Sequence, residues 1–171
     1  ERPTWGQLGF SPLSVGGVVG IGLEPICGDD GESDIAIELN TLNSDTFLAL
    51  YSSVGWEQPC REQVETAIKN SAAAFTAVDG GKAVGMVRLI GDGGMSFYIK
   101  DFAVLPDYQS RGVGSRLMDA LDDYIKSSLP EGWAVSLELI STKEAVPFYK
   151  KMGFEERPCE WDGPGMFRMI R

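Results

Sequence analysis

Apolar and polar positions change period several times along the 171 residues. Residues 35–39 alternate as a half-buried strand does. Residues 44–54 put Phe47, Leu48, Leu50 and Tyr51 on one side of a helix, and residues 61–70 predict a second helix after Pro59. Residues 74–78 and 83–90 are β-rich runs joined by Asp79-Gly80-Gly81, a hairpin signal. Gly91-Asp92-Gly93-Gly94 makes another turn before a third β-rich run at 96–105. The most regular segment is 112–127, where Val113, Leu117, Leu121 and Ile125 recur every four residues beside Met118 and Tyr124. That is an amphipathic helix, ended by Pro130-Glu131-Gly132. Residues 134–140 read as a strand and 142–152 as a short helix stopped by Gly153, with Pro147 near its regular start. Residues 154–156 and 166–171 are expected as closing strands. The order β-α-α-β-β-β-α-β-α-β-β gives an α/β (α+β) class, with a strand-helix-strand unit at 97–140.

Residues 1–34 differ from the rest, with eight glycines and an Asp29-Asp30-Gly31-Glu32 patch, and read as an irregular arm ahead of one domain at 35–171. Residues 13–23 are apolar but glycine-rich and lack a basic flank, a poor match to a signal peptide. Starting at Glu1 instead of Met, the chain reads as processed or truncated.

Composition narrows the chemistry. The formal net charge of −10 is unsuited to nucleic acid and favours cationic partners such as amines. No run of apolar residues is long enough to span a membrane. With no histidine, Ser–His–Asp and Cys–His machineries are excluded, so proton chemistry falls to carboxylates, Tyr, Lys, Cys or water. Cys27, Cys60 and Cys159 are scattered without CxxC spacing. That suits a reducing, cytoplasmic setting and offers no metal site.

The chemistry concentrates at 101–116, DFAVLPDYQSRGVGSR. A strand ends at Pro106, a glycine-containing turn follows, and a long helix begins at once. Its first turn offers free N–H groups and the positive end of the helix dipole, an anion cradle. Leu117 stands where a Rossmann fingerprint needs glycine, and the Gly-Lys-Ser/Thr of a Walker loop is absent. What remains, Gln109-x-x-Gly112-x-Gly114, resembles the acetyl-coenzyme A motif of the GCN5-related N-acetyltransferase (GNAT) superfamily. Downstream, Ala145-Val-Pro-Phe-Tyr149-Lys-Lys-Met-Gly153-Phe154 resembles that superfamily's "A…FY…GF" helix end. Taken singly, the glycines suit a plain turn and Tyr149 a core aromatic; the two motifs in order carry the resemblance, over residues 35–171.

The resemblance implies a mixed, mostly antiparallel sheet with a splayed parallel strand pair, flanked by about four helices. It implies acetyl-CoA as cofactor. Backbone groups of Phe102 and Val104, beside Ala103, would meet pantetheine. Gln109, Ser110, Arg111, Gly112, Val113, Gly114 and Ser115 would surround the pyrophosphate. Thr142, where the family often has Asn, would contact the cofactor or cap a helix. Tyr149 would protonate the departing thiolate. For the base, Asp101 ranks first by sharing the face of Ala103 in a regular strand, and Glu138 second; solvent is the alternative. Trp56, Glu57, Arg88 and Tyr98 are the acceptor-side candidates, with Arg88 more simply the ion-pair partner of Asp101 or Asp92. An aromatic beside acids suits an arylalkylamine or polyamine. The implied activity is acetyl transfer to a small primary amine. The alternatives are a protein or peptide acetyltransferase and a non-catalytic acyl-CoA sensor, and pairing into a homodimer is common in the superfamily.

Overall fold

The structure, a computed structural model, describes residues 35–166 and 168; the arm at 1–34 and most of the strand expected at 166–171 lie outside them. The elements run β1 (Ile35–Leu39), α1 (Ser44–Ser53), α2 (Arg61–Lys69), β2 (Ala73–Asp79), β3 (Lys82–Gly91), β4 (Ser96–Val104), α3 (Val113–Ser128), β5 (Ser136–Glu138) and α4 (Val146–Lys151). The sheet order is β1-β2-β3-β4-β5, antiparallel throughout except for the parallel pair β4–β5.

Strand alternation sorts side chains onto two buried faces. Phe75, Val87, Leu89, Phe97 and Ile99 face α3, whose Val113, Leu117, Met118, Leu121 and Ile125 fill that side. Each large side chain so buried contributes roughly 1.5–3 kcal/mol. On the other face Ala74, Met86 and Ala103 pack under Phe47 and Leu50 of α1 and Val64 of α2. Asn43 caps α1 by accepting the Thr46 N–H at 2.9 Å.

Three expectations change. The strand expected at 134–140 pairs only over Ser136–Glu138. Residues 154–156 form no strand. There the chain follows the C-terminus of α4, and the Phe154 N–H is held by the Tyr149 carbonyl at 3.0 Å, a helix-end bond in place of a sheet ladder. The helix expected at 142–152 is a 3-10 turn (Lys143–Ala145) leading into α4, with Pro147 in its first turn.

Candidate active site

The parallel ladder of β4 and β5 lasts three rungs, Ser96, Tyr98 and Phe97 opposite Ser136, Glu138 and Leu137. Past Tyr98 the strands diverge. A cleft of about 560 Å³ opens between residues 99–102 and 139–142, lined also by Tyr149, by Tyr51 and by the α1–α2 loop with Gly55, Trp56 and Glu57. The Leu105 N–H donates to the Val84 carbonyl, so Val104, one residue earlier, turns its backbone toward the cleft side of β4. Its carbonyl accepts from Gln109 Nε2 at 3.1 Å.

The cradle lies at the start of α3. Ser110 and Gly112 both adopt left-handed backbone, φ 59° and 82°, and Gly112 is the N-cap. The first intrahelical bond is from Arg116 N–H to the Gly112 carbonyl. The N–H groups of Val113, Gly114 and Ser115 therefore have no acceptor within the helix. A Cβ on Gly112 would meet nothing within 4 Å.

The acetyltransferase (GNAT) domain family matches residues 70–156. The chain belongs to the GNAT acetyltransferase family. An uncharacterized N-acetyltransferase of Pyropia yezoensis is 29% identical over 85% of this chain and 83% of its own length. A histone acetyltransferase of Glycine max is 28% identical over 64% of this chain and 51% of that protein. A GNAT family acetyltransferase of Streptococcus pneumoniae, 36% identical, superposes with a TM-score of 0.66 over 80% of this chain and 98% of that one. The fold is thus the mixed GNAT sheet with a diverging parallel pair, and its relatives are named N-acetyltransferases.

The residues present fit the diphosphate of a coenzyme A. Gly112 leaves open the space a side chain would fill, and three first-turn amides are free of helix partners. Gly114 has a packing role as well. A Cβ there would come within 3.3 Å of Phe148, so its missing side chain seats α4 against α3. Val113 contributes its side chain to the core. Arg111 lies over the Tyr108 ring, 4.8 Å to the centroid, and its Nη1 donates to the Asp107 carbonyl.

The cleft gathers Trp56, Glu57, Tyr98, Asp101, Phe102, Thr142 and Tyr149. Tyr149 sits among Phe102, Phe148 and Phe154, and this burial pushes its phenol up to about 12. Its hydroxyl makes no hydrogen bond with any described residue. Thr142 lines the cleft without capping the 3-10 turn through its side chain. The Tyr98 phenol is raised by burial and by the charge of Glu138, against a hydrogen bond from the Ile140 backbone.

Asp101 does not sit in a regular strand. Arg88 faces Lys100 and Met86 faces Ala103, so Asp101 and Phe102 together oppose Val87 in a bulge, with Asp101 at φ 51°. The bulge aims Asp101 at Arg88, whose Nε and Nη2 reach Oδ2 at 2.7 and 2.6 Å. The Arg88 Nη1 donates to the Ala67 carbonyl (2.9 Å) and to Ser71 Oγ (2.8 Å). Arg88 therefore lies behind the cleft, 7% exposed, as a brace for Asp101 and not among the lining residues. Glu138 also falls outside the lining and pairs with Arg157 at 3.4 Å. Ala103 is buried in the α1–α2 core.

Tyr51, at the start of the 51–59 stretch expected as the acceptor wall, lines the cleft, and Lys100 lines it from outside the sequence-based candidates. Burial and the negative charge of Asp101 raise the Tyr51 phenol, with Arg88 opposing. Lys100 follows Ser96 and Tyr98 in the polar alternation of β4, which was the available signal.

Proposed function

We propose that the protein transfers an acetyl group from acetyl-CoA to the primary amine of a small molecule, by direct attack with both substrates bound. The observation that carries this reading is the cleft at the β4–β5 divergence, lined by Tyr149 and by Trp56 and Glu57 of the α1–α2 loop. Acetyl-CoA, when bound, supplies an activated acetyl thioester. The first-turn amides of Val113, Gly114 and Ser115, with Ser110 and Arg111 in the preceding turn, hold its diphosphate. Backbone groups of Phe102 and Val104 on the open side of β4 orient the pantetheine arm. Gln109 acts one step back, by holding the Val104 carbonyl.

Tyr149 carries its proton at every physiological pH, since burial lifts its phenol to about 12, and it donates that proton to the departing sulfur. Asp101, fixed by Arg88 through Oδ2, receives the amine proton through water and orients the ammonium before attack. Glu138 is the second candidate for that role. Trp56, Glu57, Tyr51 and Tyr98 form the acceptor wall. Holding the reacting groups in line is the main source of acceleration in such a ternary complex. A protein amine is the second reading. The kinship with the Glycine max histone acetyltransferase favours it, whereas the wall at Tyr51–Trp56 favours a small acceptor.

The test is thiol release from acetyl-CoA with polyamines, arylalkylamines, amino acids and lysine peptides as acceptors. Turnover with a small amine is expected. Turnover with peptides alone selects the second reading. Cofactor binding with no turnover on any amine makes the protein a sensor and removes the transfer reading.

A further inference from the structure

Charge is distributed unevenly at the acceptor end of the cleft. Arg88 and Lys100 are directly opposite each other across the β3–β4 ladder. Like charges so placed repel and destabilise a sheet. Asp101, next to Lys100 in the chain, directs both of its contacts to Arg88. Lys100 lines the cleft and makes no ion pair with any described residue. Glu57, on the opposing loop, is likewise unpaired among the described residues. Asp101 is thus balanced by Arg88 from behind the cleft, which leaves Lys100 as the lining cation and Glu57 as the lining carboxylate without an ion-pair partner among the described residues, inside a chain of formal net charge −10. An acceptor that is only cationic, such as a polyamine, would set an ammonium against Lys100.

We propose that Lys100 is a specificity-determining residue that binds an anionic group of the acceptor, so that the preferred acceptors are amines carrying a carboxylate or phosphate a few bonds from the nitrogen. This rests on the acetyl-transfer reading above. Lys100 supplies three donors to the anion, and Glu57 and Asp101 receive the ammonium end. The acceptor is then matched to the cleft in both signs, and the repulsion between Arg88 and Lys100 is relieved when the anion binds.

The experiment compares matched acceptors by thiol release: phenylalanine against phenylethylamine, lysine against cadaverine, and glucosamine 6-phosphate against glucosamine. The wild type should favour an anionic member by about tenfold or more in kcat/KM; which pair shows it separates carboxylate from phosphate. Lys100→Met should remove that preference mainly by raising KM for the anionic member of each pair. Lys100→Glu should move the preference to cadaverine. Because Lys100 is exposed, both variants should melt near the wild type. Turnover that is indifferent to the anion, or a preference that survives Lys100→Met, overturns this inference while leaving acetyl transfer in place. Silence with every acceptor defeats the transfer reading, and this inference with it.

Discussion

Arg88 and Asp101 decide how the floor of the cleft is held. Their side chains are 8% and 12% exposed, so removing one leaves a buried charge alone. Arg88→Met should lower stability by about 3–5 kcal/mol in urea unfolding. Arg88→Lys should recover part of it at most, since an ammonium cannot reach Asp101, Ala67 and Ser71 as a planar fork does. Tyr149→Phe should reduce acetyl transfer by about a hundredfold or more, with acetyl-CoA affinity nearly intact in calorimetry. The raised phenol also fixes a pH signature. The folded state keeps a proton that the unfolded chain loses near 10.0, so Tyr149 favours folding below that pH, and this contribution fades as pH climbs toward about 12. An alkaline limb below pH 10 in the rate profile would need another group. The pairing of Arg88 with Asp101 could be read from sequence only as one option, because nothing local marks a contact thirteen residues apart.

Among the elements, α3 was the most legible, because its period of four leaves little choice about which face is buried. The β2–β3 hairpin followed equally well from Asp79-Gly80-Gly81, with Gly80 and Gly81 at φ 53° and 84°. The bulge in β4 was not legible. A regular strand would put Asp101 on the same side as Ile99, under α3, and one inserted residue is what returns it to the α1–α2 side. The shortness of β5 was hidden too, since apolar Leu139 and Ile140 continue its pattern while lining the cleft. Motif spacing revealed the turn before α3, but not that Phe148 fills the space beside Gly114. Gly112→Trp should abolish acetyl-CoA binding by filling the cradle. Gly112→Ala is the control for backbone strain, costing about 1–2 kcal/mol at this positive φ while retaining measurable affinity. Equal affinity of the tryptophan variant and the wild type, by equilibrium binding, would place the diphosphate elsewhere.

At the scale of the whole molecule, two apolar layers hold a sheet that is divided along one seam. The layers are strongly committed: Leu117→Ala should cost about 2–5 kcal/mol, read by chemical denaturation, because Leu117 has no exposed surface. The seam is the adaptable part. Acetyl-CoA at a hundredfold excess over its Kd should add about 2.7 kcal/mol, a rise in Tm of roughly 5–10 °C for a domain of this size; no shift at saturation would refute cofactor binding. Among the described residues no helix is long and apolar enough to cross a membrane. The seam also makes β4 two strands in one from the standpoint of isotope exchange. The amides of Ser96 to Tyr98 lie in a stretch flanked by partners on both sides, whereas the Val104 amide turns toward the cleft. Deuterium should enter the latter quickly in the free protein and slowly once the cofactor occupies the gap. A single backbone position would then report occupancy without any turnover, and would do so for acyl chains the enzyme binds but cannot transfer.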